Sequence, residues 1–227
     1  MEIREKAYAK LNISLDVGAR RADGYHEMNM VMVMQTVSLY DELDIRFTDS
    51  GRVQVRSNLH FIPSDERNLA VKAARVFLEA AGESGQGLQL DLLKHIPVGA
   101  GMAGGSSDAA AVLRALNGMY GGRFSCRELE KLAEQVGSDV AFCVAGGTAL
   151  AEGRGEKLTD LPDLPDCSFV ICKPSFSIST PELYRKLDSA PVRIRRSPTS
   201  SKTLYIRRQT ARRSPCSRAA RMPAVSG

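Results

Sequence analysis

The stretch Pro97-Val98-Gly99-Ala100-Gly101-Met102-Ala103-Gly104-Gly105-Ser106-Ser107-Asp108 constrains the chain more than any other. An alternating run, Leu88 to Lys94, precedes it and reads as a strand. Ala109 to Asn117 follows and reads as a helix rich in strong helix formers. The unit is therefore strand, glycine-rich loop, helix. Glycines let the backbone take positive φ and approach a ligand closely. The first turn of a helix presents unpaired N–H groups and a partial positive charge, so the unit makes a seat for phosphate. Ser106 and Ser107 add hydroxyls that can cap the helix or meet phosphate oxygen. No Gly-Lys-Ser/Thr ends the run, which excludes the common P-loop. The glycine spacing also differs from the dinucleotide fingerprint. The bland alternative is a flexible loop closed by a serine cap.

The other motifs are read against that unit. From Ala7 to Val17 small or apolar residues alternate with Tyr8, Lys10, Asn12, Ser14 and Asp16, which predicts a half-buried strand. Lys10 and Asn12 share its second face, either solvated or lining a cleft. Asp23-Gly24 predicts a tight connection, with Tyr25 and His26 just beyond it. Met28 to Val37 predicts a second strand with methionine as filler, and Leu43–Phe47 and Val53–Arg56 predict short antiparallel strands. Asn68 to Ala81 predicts an amphipathic helix with Leu69, Ala73, Phe77 and Ala80 inward and Gly82 as its stop.

Ser125-Cys126-Arg127-Glu128 is a capping-box pattern opening a helix to about Val136. Asp139 follows a glycine at a helix start, where local chemistry favours a capping role. Thr148–Glu152 and Lys157-Leu158 predict a hairpin, and Ser168–Cys172 a buried strand. Thr180-Pro181 opens a short helix to about Leu187.

Composition separates the end of the chain from the rest. The net charge is +5, but ten of the 31 basic residues lie from Arg193 onward, where there is no Asp or Glu. The remainder carries 21 basic against 26 acidic residues, a mildly acidic body with a basic tail. The tail has a disordered composition and expected boundaries of 193–227. Five cysteines without CxxC spacing suit thiols of a reducing cytoplasm. No apolar run reaches membrane-spanning length, and the N-terminus is charged, so a cytoplasmic location is expected.

Together, Ala9-Lys10-Leu11-Asn12, Asp23-Gly24-Tyr25-His26, Pro97 through Ala109 and Gly137-Ser138-Asp139-Val140 resemble the GHMP kinases, a family of ATP-dependent small-molecule kinases. The resemblance covers roughly residues 3–192. It implies an α+β fold: an N-terminal domain over 1–150, like the second domain of ribosomal protein S5, and an incomplete ferredoxin-like domain over 151–192. It implies that Pro97, Gly99, Gly101, Gly104, Gly105, Ser106 and Ser107 hold ATP phosphates, with Asn68 and Leu69 at the adenine and Lys94 within reach of the nucleotide. Lys10 and Asp139 inherit the catalytic role. Phosphoryl transfer depends on positioning and charge stabilisation, and a carboxylate can orient the hydroxyl and accept its proton. Asn12, Tyr25, His26 and Thr180 inherit substrate contacts, Tyr25 and His26 at a cytosine.

Within the family, the resemblance of the Gly-Tyr-His segment and the first strand implies phosphorylation of the 2-hydroxyl of 4-diphosphocytidyl-2-C-methyl-D-erythritol, in non-mevalonate isoprenoid synthesis. ATP and Mg2+ are the implied cofactors, the magnesium without an assigned protein ligand. Similarity to the family stops near Val192–Arg195, which suggests an out-of-frame or truncated end and a poorly stable protein of reduced activity. Two alternatives stand: another alcohol acceptor such as mevalonate, homoserine or galactose, and RNA binding by the Arg-rich tail, whose only aromatic is Tyr205.

Overall fold

A computed structural model describes residues 2–34, 37–155, 157–165, 167–173 and 180–189. The expectations for the basic tail lie outside these residues. The chain forms β1 (Glu2–Tyr8), β2 (Leu11–Arg20), β3 (His26–Val33), β4 (Tyr40–Thr48) and β5 (Val53–Ser57). Next come α1 (Leu69–Ala80), β6 (Gly87–Leu93), α2 (Gly104–Met119), α3 (Cys126–Val136) and α4 (Val140–Ala145). β7 (Thr148–Gly153), β8 (Lys157–Leu161) and α5 (Thr180–Ser189) complete the described elements. The fold is α+β, with two four-stranded sheets ordered β1-β4-β6-β5 and β2-β3-β7-β8.

In the first sheet β4 is antiparallel to both β1 and β6, whereas β5 runs parallel to β6. That corrects the expectation of antiparallel pairing for Val53–Arg56. A parallel neighbour needs a long crossover, and α1 supplies it between β5 and β6. α2 packs against α1, β1 and β4. The core formed there is apolar and built from alanine, leucine and aromatic side chains, among them Phe77, Leu88, Leu90, Leu113 and Leu116. Methionines Met28, Met30, Met32 and Met34 fill it from the β3 side. Among the described residues no helix is long and apolar enough to cross a membrane.

The first alternating run is two strands in different sheets, not one. At Ala9 and Lys10 the backbone leaves the ladder: Ala9 N–H donates to the Leu39 carbonyl and Lys10 N–H to the Met102 carbonyl, at 2.9 and 3.0 Å. A register shift between Asn12 and Ser14 then displaces the alternation. Ile13 and Leu15, expected inward, are 43% and 46% exposed on an edge strand.

The helix after the glycine loop starts at Gly104, five residues before the apolar run, so the Gly-Gly-Ser-Ser segment is its first turn. In α1 Ala73 and Phe77 are buried, but Ala80 is exposed, and the inward face is Ala70, Val71, Ala74 and Leu78 as well. Ser125 and Glu128 form the expected capping box, and β7 and β8 the expected hairpin. Residues 168–172 form no strand. Val170 is 98% exposed, and no ladder partner meets the segment among the described residues.

Candidate active site

The glycine loop joins β6 to α2. Gly99 and Gly101 take φ of +68° and +72°, and the space a Cβ would occupy at either is empty. The residue before the helix, Ala103, is itself left-handed at φ +54° and makes no side-chain cap. The serine cap weighed from the sequence is therefore not used, and the N–H groups of the first turn are left without a side-chain acceptor from the cap residue. An open glycine shell before an uncapped helix start is a fit for a polyanion such as a triphosphate.

Ser107 does different work from Ser106. Its hydroxyl is buried and donates to the Tyr8 carbonyl at 2.6 Å. It ties α2 to the end of β1. Lys94 is likewise engaged inside the fold. Its side chain is 3% exposed, and its ammonium donates to Asp41 and, at 2.6 Å, to Asp108. The physical reason is a pair of carboxylates inside the fold, on β4 and α2, that would otherwise be buried without a cation. Burial pushes the Asp108 carboxyl up to about 7; Lys94 pulls it down and Asp41 pushes it further up.

Asn68 caps α1. Its Oδ1 accepts from the Ala70 N–H at 3.0 Å, and its Nδ2 donates to the Pro63 carbonyl at 2.9 Å. One amide N–H and one lone pair remain for a base. Leu69 lies against the first turn of α2: a Cβ at Gly105 would sit 3.8 Å from its Cδ1.

Lys10 and Asp139, 129 residues apart in the chain, form an ion pair at 3.3 Å. The Lys10 side chain is 5% exposed and that of Asp139 42%, so the ammonium is held inside and the carboxylate faces outward. Asp139 makes no capping bond, although local chemistry favoured one. Lys10 also joins the two motifs, since its N–H is bonded to Met102 of the glycine loop. Cys143, one turn from Asp139, is no rival nucleophile, because burial pushes its thiol up to about 12.

The expected tight connection holds the second group. Gly24 takes φ +84°, and the Asp23 carboxylate accepts from the Tyr25 N–H, which holds its carboxyl below the usual range. Tyr25 is 59% exposed, with the Arg154 guanidinium 5.3 Å from its ring centre. His26 is buried; its Nε2 is 2.8 Å from Asp188, and its ring stacks on Tyr184 at 5.1 Å. Tyr184 and Asp188 were not singled out from the sequence. Their i, i+4 spacing on α5 was the available signal, but nothing local says which strand that face meets. Asn12 is exposed on β2, and Thr180 is the first residue of α5. The arrangement is thus an anion seat, a lysine–aspartate pair bonded to it, and a hairpin carrying an aromatic, a histidine and a helix against it.

Residues 68–147 match the family of GHMP kinases by its N-terminal domain. The chain is 48% identical over 187 residues to a 4-diphosphocytidyl-2-C-methyl-D-erythritol kinase of Clostridium beijerinckii, covering 82% of this chain and 65% of that one. It is 47% identical over 192 residues to the protein of the same name from Bacillus pumilus, covering 85% and 65%. The chain therefore spans less than two thirds of the length of these relatives. A crystal structure of 4-(cytidine 5'-diphospho)-2C-methyl-D-erythritol kinase superposes with a TM-score of 0.64 at 36% identity, over 81% of this chain and 63% of that one. A homoserine kinase from Cytophaga hutchinsonii shares the fold, at TM-score 0.56 and 23% identity over 71% and 52%.

Proposed function

The chain belongs to the GHMP kinases, and on that premise we propose that it transfers the terminal phosphoryl group of ATP to the 2-hydroxyl of 4-diphosphocytidyl-2-C-methyl-D-erythritol. The observation that carries the reading is the Lys10–Asp139 pair, bonded through the Lys10 backbone to the glycine loop. It puts a cation and an outward-facing carboxylate beside the anion seat. Gly99, Gly101, Gly104, Gly105 and Ser106 receive the phosphates through backbone N–H groups and the hydroxyl. Pro97 shapes the loop's entry, and Asn68 and Leu69 flank the base. Asp139 orients the acceptor hydroxyl and takes its proton, and Lys10 offsets negative charge on the reacting oxygens. Among the described residues no three His, Cys, Asp or Glu side chains are grouped to hold a metal. Magnesium would come with the triphosphate and supply neutralising charge there.

The acceptor assignment rests on the hairpin. An exposed Tyr25 offers a stacking face, and a buried, oriented His26 offers directional hydrogen bonding, as a pyrimidine requires and a small alcohol does not. Asn12 and Thr180 complete the acceptor side in this reading. The test is ADP release by the full chain with Mg-ATP and, in turn, 4-diphosphocytidyl-2-C-methyl-D-erythritol, mevalonate, homoserine and galactose. Turnover with the cytidylyl substrate alone is the expected result. Turnover with one of the others replaces the acceptor assignment. ATP binding without turnover on any of them refutes the transfer.

A further inference from the structure

Both stems of the glycine loop end on one buried node. At the entry, one carboxylate oxygen of Asp41 accepts the backbone N–H groups of His95 and Ile96, the latter at 2.8 Å. At the exit, Asp108 stands in the second turn of α2. The Lys94 ammonium bridges the two carboxylates, from the last residue before the loop's entry. Asn58 fixes the Lys94 backbone on both sides, accepting from its N–H at 2.9 Å and donating to its carbonyl at 3.2 Å. The node lies directly under the helix start: a Cβ added to Gly104 would be 3.2 Å from the Lys94 Nζ and 3.2 Å from the Ile96 Cγ2. All three charged side chains are buried, and the second Asp108 oxygen has no partner.

Three buried charges are an expensive way to hold a loop, and an apolar plug would pack the same space without desolvation. What the charges add is direction. Hydrogen bonds from one ammonium fix the distance between the β6 exit and the first turn of α2, which apolar contacts leave free to slide.

We propose that Asp41 and Asp108 are positioning residues for the nucleotide: through Lys94 they set the height of the first turn of α2 over the loop, and so the aim of its N–H groups at phosphate. This rests on the nucleotide reading above. Neither carboxylate touches the ligand. Their loss moves ATP binding more than the chemical step, and an amide that still accepts from Lys94 restores it. A methyl group at Gly104 would crowd the Lys94 ammonium, which would have to give by a few tenths of an ångström.

The test is titration of the full chain and its variants with Mg-ATP, followed by a fluorescent nucleotide displaced by ATP, with the thermal melt recorded alongside. Where turnover is measurable, KM for ATP and for the acceptor are separated from kcat. D108A is expected to weaken ATP binding on the order of tenfold, as for a lost hydrogen bond to a charged group. D108N is expected to return to within about threefold of the parent. KM for the acceptor stays unchanged. The melt guards against a misfolded D108A, and D108N keeps the shape of the node while removing its charge. Parent-like affinity in folded D108A, or D108N as weak as D108A, overturns the proposal while leaving the nucleotide reading intact. A parent chain that binds no ATP overturns both.

Discussion

The two halves of the candidate site are built in opposite ways. The proposed phosphate side is local: β6, loop and α2 follow one another over about thirty residues, and what they offer is backbone N–H groups and glycine conformations. The acceptor side is assembled at long range. Lys10 meets Asp139 across 129 residues, and His26 meets Asp188 across 162. A backbone seat recognises any polyanion of the right size. Side chains gathered from distant elements recognise one acceptor and align it for reaction. On the proposed reading, the nucleotide half would serve many kinases, while selectivity and chemistry would depend on how firmly the distant elements are held.

That contrast can be broken at the tie between the halves. Arg114 on α2 donates to Glu5 at 2.9 Å and to the Cys143 carbonyl at 2.8 Å, joining the nucleotide helix to β1 and to the helix that begins after Asp139. Both side chains of the Arg114–Glu5 pair are largely buried. Arg114→Met leaves Glu5 unpaired and is expected to cost about 4 kcal/mol of stability by urea denaturation. Loss of a few tenths of a kcal/mol instead would mean that the halves hold together without it.

A smaller effect separates them by pH. The Asp108 carboxyl titrates at about 7 in the folded protein because burial opposes its charge. In the unfolded chain the reference is about 3.9. The protonated form therefore favours the fold; that contribution is fully present below about pH 4 and is lost as the pH rises through about 7. That value already contains the opposing pull of the Lys94 ammonium, so the change across this range is on the order of a few kcal/mol at most. Relative to Asp108→Asn, the parent should lose stability between pH 5 and pH 8. Parallel stability curves would show that the nucleotide half carries no such group. Smallest is Tyr184→Ala, which removes the ring stacked on His26 and is expected to weaken the acceptor by about 1 kcal/mol, with ATP affinity unchanged. Equal losses for both ligands would erase the distinction between the halves.

The same contrast explains what could be read from the sequence. Periodicity and capping located α1, α3 and the β7–β8 hairpin, because each is decided by neighbours within a few residues. The glycine motif marked the loop between β6 and α2 for the same reason. The sheet switch at Ala9–Lys10 was hidden, since an alternating pattern does not say where a strand changes partners. The parallel pairing of β5 was hidden for a related reason: its partner lies beyond α1. Lys94 read as a hand reaching for nucleotide, because the carboxylates that enclose it, Asp41 and Asp108, come from other elements. Asp139 read locally as a cap, and only Lys10 in space gives it a different partner.

The most direct measurement pairs ATP binding with ADP release in the parent chain and in Asp139→Ala, using Mg-ATP and 4-diphosphocytidyl-2-C-methyl-D-erythritol. If the halves divide the work as described, the variant keeps the parent's ATP affinity while turnover falls by about 100-fold or more. Turnover that survives the substitution, or ATP affinity that falls with it, would contradict that division.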